Sequence, residues 1–268
     1  MPDIRIEPFL ENDLDFLVEI QPPDWKPIYP HYQYYLSNDS CLPLKVMFEG
    51  NICGVGTVIF HEQTAWLAHI IIHPLKRNLG LGKLLTSAML ENINSSIYKT
   101  VYLMSTDLGF PIYQSLGFVT EDTHLFFFND DFASDVSEQG ITDGTDAHLD
   151  DVLKLDHQAY GEYRKSRIVE GKLGMKVFLE GEKVRGFYLP SLLEGPVVAA
   201  TPTAGMSLLN YRLKTENIVI LPESNSIACQ YLIDNDFQVT RKARRMRLGT
   251  KREHNQQMVY NRFSGQIG

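Results

Sequence analysis

The run HPLKRNLGLGKLL (His73–Leu85) carries the residue types best placed for chemistry. Two glycines, Gly80 and Gly82, sit between a basic segment and an apolar helical pattern. Glycines let a ligand touch the main chain with no Cβ in the way. The first turn of a helix adds unpaired N–H groups and a partial positive charge. The turn Arg77-Asn78-Leu79-Gly80-Leu81-Gly82 therefore suits an anion such as a pyrophosphate, with Arg77 and Lys83 as charge complements. It is no nucleoside-triphosphate loop, because the GK[ST] ending is missing. It is no dinucleotide fingerprint either, which needs a third glycine and an acidic ribose ligand. The competing reading is a plain tight turn.

A second set lies in PPDWKPIYPHYQYY (Pro22–Tyr35). Asp24 with Trp25, Tyr29, Tyr32 and Tyr35 could clasp an amine through a carboxylate and cation–π contacts. An aromatic satellite core under a proline-rich loop is the alternative. His69 is of a type that titrates near neutral pH. The basic run RKARRMRLGTKR (Arg241–Arg252) reads as a solvated or cleft-facing strand rather than a nucleic-acid patch.

The elements that must position these residues follow from periodicity. AWLAHIIIHP (Ala65–Pro74) is a buried-strand pattern stopped by proline, which cannot continue a ladder. Leu84, Leu85, Ala88, Met89 and Ile93 form one apolar helical face after the glycines. The chain also repeats itself. LKVMFEGNICGVGTVIF (Leu44–Phe60) resembles GMKVFLEGEKVRGFYLP (Gly174–Pro190), each a hairpin around a Glu-Gly turn. VYLMSTDLGFPIYQSLGFV (Val101–Val119) parallels IVILPESNSIACQYLIDNDFQV (Ile218–Val239). Each half thus reads strand, helix, hairpin, strand, helix, strand, helix, strand, an α/β layer with a mostly antiparallel sheet. The acidic segment 129–140 is expected to be a linker between domains at 1–130 and 140–268. A single elaborated domain is the alternative.

The 268 residues are 44% hydrophobic and 22% charged, a globular composition. A net charge of −8 argues against a nucleic-acid partner. Cys41, Cys53 and Cys229 form no CxxC pair and no disulfide framework, which fits a reducing compartment. The N-terminus MPDIRIEPFL shows no signal peptide, and no apolar run approaches the ~20 residues of a membrane span. A cytoplasmic protein with no membrane partner and no metal is expected.

The R-x-x-G-x-G run after a strand ending in His-Pro, followed by YQSLGF (Tyr113–Phe118), resembles the GNAT superfamily of acetyl-CoA-dependent N-acyltransferases. The resemblance covers most of residues 3–128, from IRIEPFLENDLDFL through the hairpin and glycine turn to the closing YQSLGF. It implies two tandem GNAT-like domains, each a mixed, mostly antiparallel sheet flanked by helices. It implies that Asn78, Leu79, Gly80, Leu81 and Gly82 hold the coenzyme A pyrophosphate through backbone amides. The strand residues Ile70, Ile71 and Ile72 would pair with the pantetheine arm, with the N–H of Ile71 or Ile72 as oxyanion donor.

Acyl transfer to an amine needs a base, an oxyanion donor and an acid for the departing thiolate. The resemblance assigns the acid to Tyr113. Many relatives carry a strand Glu where Ala68 stands, which puts deprotonation by a strand carboxylate in doubt. His69 is the candidate base, against the reading of a buried, satisfied imidazole, with Asp24 or Glu62 acting through water as alternatives. The region after the first helix would wall the acceptor pocket. The second half resembles a degenerate GNAT copy: VVAATPTAGMSLL (Val197–Leu209) keeps no R-x-x-G-x-G, and Tyr231 is out of the Tyr113 position. It is expected to bind no coenzyme and to cover the acceptor side or mediate dimerisation. The expected activity is transfer of an acetyl group from acetyl-CoA to a small-molecule or peptide amine. A non-catalytic acyl-CoA-binding or sensing protein, or an interaction scaffold, are the rivals.

Overall fold

The computed structural model describes residues 3–23, 25–134 and 138–267. The chain divides into two compact units. The first runs to Val119 and takes in Arg247–Thr250 and Ile267; the second comprises Thr120–Met246 and Lys251–Gln266.

The first unit opens with β1 (Ile4–Pro8), α1 (Leu17–Ile20) and α2 (Tyr29–Leu36). The hairpin β2 (Cys41–Phe48) and β3 (Asn51–Phe60) follows, and then β4 (Thr64–Ile72) and α3 (Leu81–Glu91). The unit continues with β5 (Thr100–Ser105) and α4 (Phe110–Ser115). The strands lie in the order β1-β2-β3-β4-β5, antiparallel except for the parallel β4–β5 pair. Glu49 and Gly50 join β2 to β3 with φ of 50° and 82°, the doubly positive turn that matches strand twist. Leu85 and Met89 of α3 are buried, as the apolar stripe requires. Beyond β5, Thr250 donates its N–H to the Lys99 carbonyl at 2.9 Å and accepts from the Thr100 hydroxyl at 2.8 Å.

The second half of the sequence repeats the element order, although the second unit begins before it. That unit holds β6 (Val119–Phe128, Val119 itself counting with the first unit), β7 (Ile141–Asp143), α5 (Leu149–Tyr160), α6 (Lys165–Glu170), β8 (Lys176–Glu180) and β9 (Lys183–Tyr188). Then come β10 (Val197–Ala199), α7 (Pro202–Arg212), β11 (Ile218–Pro222), α8 (Ser226–Asp234), β12 (Gln238–Gly249) and β13 (Val259–Asn261). Five strands form an antiparallel sheet, β13-β10-β9-β8-β7. β6 pairs antiparallel with β11, Phe128 opposite Ile218 and His124 opposite Pro222.

The mixed α/β architecture and the repeat in element order read from the sequence are present. The division between units differs from a cut at residue 130. β6 closes the first half of the sequence yet pairs within the second unit, while the last residues of β12 count with the first. The acidic segment is tied to the second unit on both sides: Asn217 donates to Asp130 at 2.8 Å, and Lys214 pairs with Glu138 at 2.7 Å. Residues 135–137 of that expected linker lie outside the described residues.

The basic run Arg241–Arg252 is indeed largely strand, and one of its cations is interior. Arg245 has no exposed side-chain surface and pairs with Glu121 and, at 3.8 Å, with Glu162. His124 on β6 is equally buried; desolvation first, then Arg262 and Arg245, hold its imidazole well below the usual range. The folded value lies below the unfolded one, so the unfolded chain takes up the proton first as pH falls. His124 thus costs no stability above about pH 6.5 and an increasing amount below it. We expect His124→Gln to make the fall of unfolding free energy between pH 6.5 and 5 shallower, by up to about 1.4 kcal/mol per pH unit. Urea titrations at stepped pH measure it, and an unchanged slope would contradict the assignment.

Candidate active site

β4 carries the site. Its register with β5 runs from Thr64–Thr100 to Leu67–Leu103 and stops, although β4 itself continues to Ile72. Over the same stretch its pairing with β3 shifts by one residue, between Thr57–Ala68 and Val55–Ile71. The extra residue is a β-bulge, and His69 sits in it at φ 47°. Bulges bend the strand that holds them, which turns the end of β4 away from β5.

The direction of the free backbone groups follows from the ladder. His73 donates its N–H to the Cys53 carbonyl at 2.8 Å, so the 73–53 pair is a hydrogen-bonded one. Antiparallel pairs alternate, which makes 72–54 a non-bonded pair whose N–H and C=O point away from β3. The Ile72 carbonyl confirms this by accepting from Arg77 Nε at 3.3 Å. Of the two expected oxyanion donors, Ile72 is the one that faces the open edge, and Ile71 is committed to β3.

The glycine turn meets this edge. Asn78 and Gly80 have φ of 63° and 78°, and Gly80 is the N-cap of α3 with no side chain capping the helix. A Cβ on Gly80 would meet nothing within 4 Å, whereas one on Gly82 would lie 3.3 Å from Ile112 and 3.7 Å from Ile72. Gly82 therefore marks where α3, α4 and the end of β4 converge. Arg77 and Lys83 are exposed beside the turn and make no ion pair among the described residues. The amides of residues 81 and 82, the open space at Gly80 and two uncompensated cations together fit a phosphate-bearing ligand.

Tyr113, the residue after Ile112, has a buried ring packed at 6.1 Å from Phe118. Its hydroxyl makes no hydrogen bond among the described residues. Burial pushes the phenol well above its usual value, so it stays protonated and can donate. Tyr231 in the second unit differs, since its hydroxyl donates to Asn210 Oδ1 at 2.6 Å.

The acceptor-side residues come together in part. The His69 ring is 6.0 Å from Trp25, 5.1 Å from His31 and 6.1 Å from Tyr32. Tyr32 has no exposed surface and packs on Phe9 at 4.8 Å, so it backs the cluster and does not line a pocket. Tyr29 is exposed at the start of α2, and Asp24 lies outside the described residues. Glu62 stands in the β3–β4 turn, seven residues before His69. Ala68 is buried and brings no carboxylate. His69, expected as a base, has its imidazole pushed down to about 3 by desolvation and then by His31, which leaves it neutral and weakly basic.

The second unit closes the equivalent place. Thr201 caps α7 by accepting from the Ala204 N–H at 3.3 Å, and Pro202 supplies no N–H. A Cβ on Gly205 would fall 2.1 Å from the Tyr260 ring, so this glycine makes room for the protein's own side chain. β13 pairs with β10, and from its other side Asn261 Oδ1 accepts from the Ile220 N–H while the Arg262 N–H donates to the Ile220 carbonyl, each at 2.8 Å. The C-terminal segment thus fills the gap between β10 and β11. Neither this plug nor the β4 bulge has a signature in VYN or LAHI that periodicity could detect.

In the first unit the fifth strand leaves the fourth, and an uncapped glycine turn and the helix bearing Tyr113 meet at the gap. Residues 31–129 match the acetyltransferase (GNAT) domain family, and that part of the chain is a GNAT acetyltransferase domain. The whole chain is similar in fold to a provisionally assigned acetyltransferase from Pyrococcus horikoshii, at TM-score 0.81 and 19% identity over 99% of this chain and 96% of the other. It is similar also to a GCN5-related N-acetyltransferase from Sphaerobacter thermophilus, at TM-score 0.64 and 13% identity over 94% and 98%. One from Kribbella flavida gives 0.60 and 15% over 92% and 71%. No curated protein matches the sequence. Among the described residues no cluster of His, Cys, Asp and Glu is arranged for a metal ion, and no helix is long and apolar enough to cross a membrane.

The two glycines are expected to differ when given a side chain. Gly82→Ala should leave the melting temperature unchanged or slightly raised, since alanine favours the helix and its Cβ meets only flexible side-chain ends. Gly205→Ala should destabilise by about 1–3 kcal/mol by forcing Tyr260 out. Equal effects in thermal unfolding would contradict the contrast between the turns.

Proposed function

We propose that the first unit transfers an acetyl group from acetyl-CoA to the amine of a small molecule or peptide, and that the second unit binds no coenzyme. The observation that carries this reading is the convergence at Gly82 of the open end of β4, the uncapped start of α3 and the helix bearing Tyr113. Backbone amides at Gly80, Leu81 and Gly82, with Asn78 and Leu79 shaping the turn and Arg77 and Lys83 beside it, would hold the pyrophosphate. The edge of Ile70–Ile72 would pair with the pantetheine arm, which delivers an acetyl thioester.

The residues then divide the work. The Ile72 N–H, facing the open edge, stabilises charge developing on the acyl oxygen. Tyr113, kept protonated by burial, donates a proton to the departing sulfur. The missing strand carboxylate at Ala68 leaves proton removal from the ammonium to solvent. That same absence is the one observation favouring the alternative, an acyl-CoA-binding protein without transfer activity.

Calorimetry with acetyl-CoA and thiol release over an amine panel test both. We expect one coenzyme bound per chain and a loss of at least about tenfold in affinity for Gly82→Asp, which puts a negative side chain at the pyrophosphate seat; Arg77→Ala should lose less. If Gly82→Asp binds as the parent does, the turn is only a turn. Tyr113→Phe should keep coenzyme affinity while turnover falls about 10–1000-fold. Unchanged turnover would leave Tyr113 structural, and coenzyme binding with no thiol release on any amine would favour the binding-only reading.

A further inference from the structure

Gly109 stands four residues before Tyr113, at the start of α4, and nothing in its backbone asks for glycine. Its φ of −82° and ψ of −23° lie in the right-handed helical region that any residue adopts. Alanine in that conformation would lose less chain entropy on folding. The space around the residue gives the reason instead. A Cβ at Gly109 would fall 2.7 Å from Cε2 of Tyr113 and 3.2 Å from both its Cζ and its hydroxyl oxygen. These are the three nearest atoms, so the missing side chain makes room for the tyrosine. Non-bonded carbons settle about 3.5–4.0 Å apart, and a ring facing a Cβ there would have to retreat by about 1 Å. The approach follows from the helix. Its Cα–Cβ bonds tilt toward the N-terminus, which lays each side chain over the residue four earlier. The Tyr113 N–H donates to the Gly109 carbonyl at 3.2 Å, so this turn is closed. The ring is buried and also meets Phe118, at 6.1 Å between centroids and 64° between planes.

We infer that Gly109 is a positioning residue that sets where the Tyr113 hydroxyl lies, by letting the phenol rest against the main chain at the start of α4. A proton donor works only within hydrogen-bond reach of the atom it serves. A misplacement of about 1 Å is enough to cost about 100-fold in rate. Gly109 acts through the tyrosine and touches no reacting atom itself. Its meaning for turnover rests on the acetyl transfer proposed above; the contact with the ring does not.

Carbon–proton spectra of the tyrosine-labelled full chain read the contact without any substrate, the Tyr113 ring signal being the one that Tyr113→Phe removes. We expect Gly109→Ala to move that signal. A Tyr113 signal that stays in place would overturn the inference. Turnover gives a second reading. Gly109→Ala should leave acetyl-CoA affinity and the KM for the amine unchanged and lower kcat by about 10–100-fold. In a Tyr113→Phe chain the same substitution should cost nothing further, because the hydroxyl it displaces is already gone. An unchanged kcat in Gly109→Ala, or losses that multiply in the double variant, would overturn the positioning role. Should Gly109→Ala lower the melting temperature, it should not do so in a Tyr113→Leu chain, since leucine lacks the Cε2 and Cζ atoms of the clash. An equal drop in both backgrounds would contradict the contact. If the parent acetylates no amine at all, the acetyl-transfer reading fails on that ground alone, and the ring signal still decides whether Gly109 sets the place of the hydroxyl.

Discussion

An open strand edge inside a folded unit is the constraint around which this molecule is arranged. Backbone N–H and C=O groups must find partners, and a strand that parts from its neighbour leaves a row of them unpaired. The last five residues of β4 are in that position after Leu67. Here the bulge at His69 starts the departure, Pro74 ends the strand, and the Arg77 side chain takes up one of the exposed carbonyls at Ile72. The second unit meets the same constraint with its own chain: β13 pairs with β10, and Asn261 and Arg262 satisfy Ile220 on β11. One unit keeps an open edge, and the other fills it.

The difference between the two turns follows from that. In the first, the positive-φ residues Asn78 and Gly80 open the main chain to solvent with no side-chain cap. In the second, Thr201 caps the helix and Tyr260 covers Gly205. The second unit also has an interior that is unusually charged. Arg164 lies between the rings of Tyr160 and Phe263 at 3.9 and 4.0 Å and pairs with Asp156 at 2.5 Å, both side chains essentially without exposure. Removing one partner of such a pair strands a buried charge at a cost of about 3–5 kcal/mol.

Much of this was legible in the residues. The R-x-x-G-x-G turn, the Tyr113 motif and the hairpin repeat are local patterns, and local patterns survive in a one-dimensional reading. What the sequence hid is what depends on pairing between distant segments. β6 and the end of β12 each count with the unit opposite to their half of the sequence, which no composition shift at 129–140 can show. The one-residue bulge at His69 leaves no trace in AWLAHIII. In the aromatic run, Tyr32 and Tyr35 look equivalent, yet the first packs on Phe9 and the hydroxyl of the second meets His69 Nδ1 at 3.0 Å.

The most direct measurement is amide hydrogen exchange on the full chain with and without acetyl-CoA, resolved at Ile70, Ile72, Leu81 and Gly82 and at Ala204 and Gly205. An open edge and an uncapped turn that seat the coenzyme should gain protection at the first four amides, with no change at the last two. Protection that appears at both turns, or at neither, would contradict the division between an open unit and a plugged one.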